Sequence, residues 1–181
     1  MKKISLICGV CCILNVTLNN IGYAEDPQYD CKTENQKEYC LDADNKPMTG
    51  KIKKYQEDGS YQSIVNYKNG YPDGLATYFA KEGKLKERVY YKQGIKNGMD
   101  KIYYENRTIH QLLNYRDGVL DGQQEFYTPE GKILGRADYN RGILRTGFCL
   151  KNEGGRLKKH NFDAQTIKNN AYNNLITCEA L

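Results

Sequence analysis

A strict period of 24 residues organises most of this chain and constrains its fold more than any other feature. Gly50, Gly74, Gly98 and Gly122 fall 24 apart, and so do Gly70, Gly94, Gly118 and Gly142. Tyr67, Tyr91, Tyr115 and Tyr139 form a third column; Tyr55, Phe79, Tyr103 and Tyr127 form a fourth. A fifth column, Gly59, Gly83, Arg107 and Gly131, carries one departure. A fixed period of this size marks stacked units, each too small to bury its own apolar face without its neighbours.

Each unit reads as a β-hairpin. A turn at Glu57-Asp58-Gly59, and its equivalents at 81–83, 105–107 and 129–131, precedes a longer apolar–polar alternation. In the first unit that alternation is Tyr61, Ser63, Val65, Tyr67, the period of two that marks a half-buried strand. The unit closes on Gly-x-x-(Asp/Asn)-Gly, where Asp73-Gly74 and Asn97-Gly98 supply the positive φ of tight hairpin turns. The parity puts the columns beginning at 61, 65, 67 and 71 on one apolar face. The fold expected is mainly β: an extended, twisted antiparallel meander of four hairpin units, 50–73, 74–97, 98–121 and 122–147.

The flanks carry different signals. Lys2 and Lys3, the apolar run Ile4–Leu18 and the Gly22-Tyr23-Ala24 end have the order of a secretory signal peptide, expected to be cleaved after Ala24. The run is shorter than the ~20 residues of a spanning helix, so no stable membrane span is expected after cleavage. Residues 25–49 then form an N-terminal cap and 148–181 a C-terminal cap. Cys8, Cys11 and Cys12 leave with the leader, and Cys31, Cys40, Cys149 and Cys178 remain, an even number that reads as two disulfides in an exported chain. Eight strands stacked at ~4.8 Å hold the two ends on the order of 38 Å apart. A disulfide needs Cα atoms within ~7 Å, which selects Cys31–Cys40 and Cys149–Cys178. Asp163 caps an expected short helix, Ala164–Ile176, covering the last sheet edge.

The columns Tyr-x-x-x-Gly and Tyr-x-x-Gly-x-x-(Asp/Asn)-Gly resemble the variant class of MORN repeats, over about residues 40–150. Lys46-Pro47-Met48-Thr49-Gly50-Lys51 looks like the Pro-x-Thr-Gly start of such arrays, and the pattern is similar to the bacterial YwqK-type family, which carries an antitoxin label. The resemblance implies a binding or scaffolding module with no shared catalytic residues.

Few residues have the spacing of a chemical site. The only two His, His110 and His160, have no Cys or carboxylate partner at ligand or triad spacing, and Asp73, Asn97 and Asp121 belong to turns. No catalytic group, metal ligand set or cofactor motif is expected, and the chain reads as a non-enzyme. A net charge of +5, falling to +3 without Lys2 and Lys3, does not argue for nucleic acid. Of 16 Tyr, the columns explain most by packing; Tyr78, Tyr90 and Tyr104 stand outside them and are candidate interface residues, with Arg88 and His110 beside them. The reading is a periplasmic or secreted bacterial protein that binds an unknown protein partner, a toxin or an envelope protein. The alternatives are an inhibitor or immunity protein against an exported toxin or enzyme, and binding of an envelope polysaccharide.

Overall fold

The structure is a computed structural model that describes residues 29–35, 37–153, 155–163, 165 and 178. The expected leader and the expected helix Ala164–Ile176 lie outside the described residues, Gln165 of the latter apart. Two strands, β1 (Asp30–Glu34) and β2 (Lys37–Leu41), form a separate hairpin. Eleven more, β3 (Gly50–Tyr55) to β13 (Arg156–Asn161), form one antiparallel meander. Between them run β4 (Tyr61–Lys68), β5 (Tyr71–Phe79), β6 (Leu85–Lys92), β7 (Ile95–Tyr103), β8 (Ile109–Arg116), β9 (Val119–Leu120), β10 (Gly122–Tyr127), β11 (Ile133–Asn140) and β12 (Ile143–Glu153). No helix among the described residues is long and apolar enough to cross a membrane.

The hairpin turns sit four residues before the expected Asp-Gly and Asn-Gly sites. Asn69-Gly70, Gln93-Gly94, Asp117-Gly118 and Arg141-Gly142 each have positive φ at both residues, the signature of a type I′ turn. Gly74 lies inside β5, at φ +93°, where the register jumps from Val65↔Ala76 to Tyr67↔Pro72. It is a kink within a strand, not a turn, and Gly98 kinks β7 in the same way. The kink column also locks successive turns together. Asp73 Oδ2 accepts the Gln93 N–H at 3.1 Å, and Asp121 Oδ1 accepts the Arg141 N–H at 2.9 Å. Beside them, the Gly94 N–H donates to the Pro72 carbonyl at 2.8 Å and the Gly118 N–H to Lys96 at 2.9 Å.

Face assignment departs from the simple alternation. The register steps from Lys54↔Ser63 to Tyr55↔Tyr61, which leaves Gln62 as an inserted bulge residue. The same shift recurs at 78/79, 102/103 and 126/127, inserting Lys86, His110 and Leu134. An inserted residue turns everything beyond it onto the opposite face. The column 61/85/109/133 therefore leaves the core side, where Val65, Val89, Leu113 and Ala137 are buried. Tyr61 instead packs on Tyr55 and Phe79 with ring centroids 5.1 and 6.0 Å away.

The buried face has two apolar clusters. One gathers Met48, Ile52, Val65, Tyr67, Ala76 and Val89 with Cys40. The other gathers Leu113, Leu120, Phe126, Ala137, Tyr139 and Leu144. Both ends are pinned by disulfides, Cys31–Cys40 and Cys149–Cys178, with Cα atoms 4.0 and 5.5 Å apart. The hairpin β1–β2 is seated against the first turn: the Cys40 N–H donates to the Gly70 carbonyl, and a Cβ at Gly70 would stand 2.2 Å from the Tyr39 ring. At the other end the sheet continues beyond 147 into β13, whose Lys158 and Lys159 place charge on an edge strand.

Candidate functional site

Between the two apolar clusters the buried face changes character. Asp100 is fully buried in a column that otherwise reads Ile52, Ala76 and Gln124. Its Oδ2 accepts from Lys96 Nζ at 2.7 Å, and the same ammonium donates to Glu87 Oε1 at 3.0 Å. Lys96 also stands 5.3 Å from the Tyr115 ring centroid. Burial alone pulls the Lys96 ammonium down, but the Asp100 and Glu87 carboxylates outweigh it and hold the group above the ordinary lysine range. Burial pushes Asp100 up to about 6, against the pull of Lys96 and with a further push from Glu87.

Tyrosines surround this triad. Tyr78 donates its phenolic hydrogen to Tyr91, and burial raises Tyr78, Tyr91 and Tyr115. Further along, Tyr67 donates to Glu38 Oε2 at 2.6 Å, and Lys54 closes on Glu38 at 3.2 Å. A protonated lysine and protonated phenols are poor nucleophiles and poor bases at neutral pH. The arrangement is a buried polar patch in which one ammonium bridges two carboxylates and ties β6 and β7 together. Glu38 also lies within 4.8 Å of Cys31 and Cys40, but their sulfurs are joined in the disulfide and offer no thiolate to a metal.

The exposed site is a groove beside the type I′ turns. It encloses about 860 Å³ and is lined by Lys37, Lys68, Asn69, Tyr71, Tyr90, Tyr91, Lys92 and Gln93, among others. Lys37 arrives from the β1–β2 hairpin, and its stem lies over Gly94, within 3.8 Å of where a Cβ would be. Tyr71 is fixed from behind by Tyr39, edge-on at 4.9 Å between centroids. Tyr90 is the unusual wall. Its column otherwise reads Asn66, Asn114 and Asp138. Asn66 and Asn114 each donate a side-chain N–H across the kink, to the Leu75 and Gln123 carbonyls, both at 2.5 Å. A tyrosine cannot make that staple. Tyr90 lies over Gly98 instead, with 47% of its surface exposed.

The structure separates the residues singled out from sequence. Tyr90 and Arg88 are exposed on the same strand, at alternate positions of one face. Tyr78 is not exposed: it lies on the buried face against the first cluster, because its parity matches Ala76. Tyr104 is half-buried, donates its hydroxyl hydrogen to the Tyr127 carbonyl at 2.7 Å, and stacks on His110 with centroids 4.2 Å apart. It holds two short turns together, as Gln56 does by donating to the Ala80 carbonyl at 2.7 Å. The groove cations and the triad were missed from sequence. The signal for the triad was available: Lys96 interrupts the column Met48, Pro72 and Leu120, just as Asp100 interrupts its own.

The family model of the MORN repeat variant matches residues 48–69, 72–93 and 120–141. The stretch between 93 and 120 is not matched, although the turn at 117–118, the kink at Gly98 and the bulge at His110 follow the pattern of the matched segments. No curated protein gives a significant match to the chain.

Proposed function

We propose that the chain is an exported, non-enzymatic binding module that docks a partner protein in the groove walled by Tyr71 and Tyr90. The four units 50–73, 74–97, 98–121 and 122–147 act as a stiff support, and the two caps terminate it. The observation that carries the reading is Tyr90: at a position where Asn66 and Asn114 staple the backbone, an exposed aromatic ring stands in their place. Giving up a backbone staple for an exposed ring makes sense where the ring binds something. The similarity to MORN repeat variant units supports the reading, since such units commonly serve as binding or scaffolding modules. Two disulfides fit an oxidising compartment, the periplasm or the exterior. An inhibitor of an exported toxin or enzyme is the narrower form of the same reading.

The test is affinity capture of partners from the exporting cell with wild-type protein, Tyr90→Asn and Tyr104→Gln. Both substitutions install the residue that another unit carries at the same position, Asn66 and Asn114 for Tyr90 and Gln56 for Tyr104, so the fold is retained. Loss of a captured protein with Tyr90→Asn and retention with Tyr104→Gln is the expected result. Equal capture by all three proteins, or retention of glycans with no protein, would overturn the proposal.

A further inference from the structure

We infer that the groove accepts an extended acidic segment of polyproline II type, with carboxylates at every third residue. The inference rests on the proposed docking role of the groove and adds the chemistry of what docks there. Lys68 and Lys92 occupy one column, each directly before a type I′ turn, and both are exposed. Neither forms an ion pair among the described residues. Arg116 continues the column; its Nε lies 2.7 Å from Asp121, yet its side chain is 69% exposed. The acids of this edge serve the turns: Asp73, which also lines the groove, and Asp121 accept turn N–H groups, and Asp117 accepts from Asn97 at 3.0 Å. The turn edge thus carries Lys68 and Lys92 as two exposed cations without an ion pair among the described residues, followed in the next unit by Arg116, which is exposed but already paired with Asp121.

The spacing of that row selects the conformation of the ligand. Successive units are two strands apart, so Lys68, Lys92 and Arg116 repeat at about 10 Å. A polyproline II helix has three residues per turn and rises ~3.1 Å per residue, so every third side chain returns to one face after ~9.3 Å. A β-strand would point every third side chain to alternating faces and could not keep that register. Strand addition is also excluded here, because the open sheet edges are β3 and β13, not the turn row. Aromatic walls such as Tyr71 and Tyr90 are the usual receptors for a polyproline II backbone, whose carbonyls remain free to accept hydrogen bonds.

The test is fluorescence anisotropy of the full chain with labelled peptides of equal length: repeated Glu-Pro-Pro, repeated Glu-Pro and repeated Gln-Pro-Pro. Repeated Glu-Pro-Pro binds about tenfold more tightly than the other two, and the preference weakens with added salt. The double variant Lys68→Ala, Lys92→Ala abolishes the preference, while its thermal midpoint, set by buried residues, stays at the wild-type value. Equal affinity for the three peptides, or a preference that survives the double variant, overturns the inference. Inorganic polyphosphate that binds as well as the acidic peptides and displaces them would also overturn it, by showing a site for anions without register. If partner capture depends on Tyr90 but the peptides are indistinguishable, this inference falls and the docking role stands. If capture is indifferent to Tyr90, both fall.

Discussion

Lys96 and Asp100 meet at 2.7 Å on the buried face of the sheet, at two positions where the neighbouring units place Pro72 with Ala76 and Leu120 with Gln124. The kink at Gly98 lies between them in the chain. With Glu87 3.0 Å from the same ammonium, one cation bridges two carboxylates at the join between the two apolar clusters.

Removing the cation alone should be costly. Lys96→Met leaves Asp100 and Glu87 facing each other in a buried site, and a loss of about 2–4 kcal/mol is expected from denaturant unfolding. Replacing all three residues by those of neighbouring units, Glu87→Ser, Lys96→Leu and Asp100→Ala, restores stability to the wild-type level or above, because compensated buried charges are seldom better than good apolar packing. A triple variant less stable than Lys96→Met would show that the triad stabilises the fold in its own right.

The triad also sets a pH dependence. Asp100 is pushed up to about 6 in the folded chain, above its ordinary value, so the folded form holds this proton more firmly than the unfolded form. The stability this contributes is complete below about pH 4 and is lost as pH rises through about 6, a change of about 3 kcal/mol. Asp58, Glu130 and Glu153 are shifted downward and act in the opposite sense, but they are common to wild type and variant. Unfolding free energies of wild type minus Asp100→Asn, measured from pH 4 to 7, should therefore decline as pH rises. A flat difference would refute the assignment.

Arg107 takes φ +68° where Gly59, Gly83 and Gly131 occupy the same turn position. A side chain in that conformation costs roughly 1 kcal/mol. Arg107→Gly should raise stability by about 0.5–1 kcal/mol in equilibrium unfolding, whereas Gly131→Arg should lower it by a similar amount.

The second disulfide holds the C-terminal end of the chain onto the sheet across 29 residues of sequence. A Cβ at Gly135 would sit 2.2 Å from Cys178 Sγ, so the sulfur rests directly on the strand backbone. Cys149→Ser with Cys178→Ser should cost about 3 kcal/mol. Gly135→Ala should destabilise the oxidised protein more than the Cys149→Ser, Cys178→Ser variant, since its clash is with the sulfur and with the Phe148 carbonyl at 2.5 Å. Equal losses in the two backgrounds would place the clash on the strand alone.

Much of the architecture was legible because glycines and tyrosines at a constant interval can be read without knowing any contact. The hairpins, the antiparallel meander and both disulfide pairings follow from that interval and from chain ends too distant to be joined. Two details escaped. A positive φ is needed both in a turn, at Gly70, and in a kink, at Gly74, and composition does not tell the two apart. Alternation also carries no mark of an inserted residue, so the bulge at Gln62 moved Tyr61 to the other face unseen. The candidate site was legible at Tyr90, whose column makes it an exception, but not at Tyr78 or Tyr104, whose exceptional identity serves packing and turn contacts. Lys37 could not be placed from sequence, because it reaches the groove from the separate β1–β2 hairpin.

The proposed docking role requires Tyr90 to touch a partner protein. Photo-crosslinking in the cell that produces the protein reads this contact, with a benzophenone amino acid at position 90 and, in parallel, at position 104. Mass spectrometry should find position 90 joined to one defined segment of a single partner protein, and position 104 joined to nothing beyond background. Crosslinks from position 90 that track protein abundance, with no preferred segment, would contradict the claim.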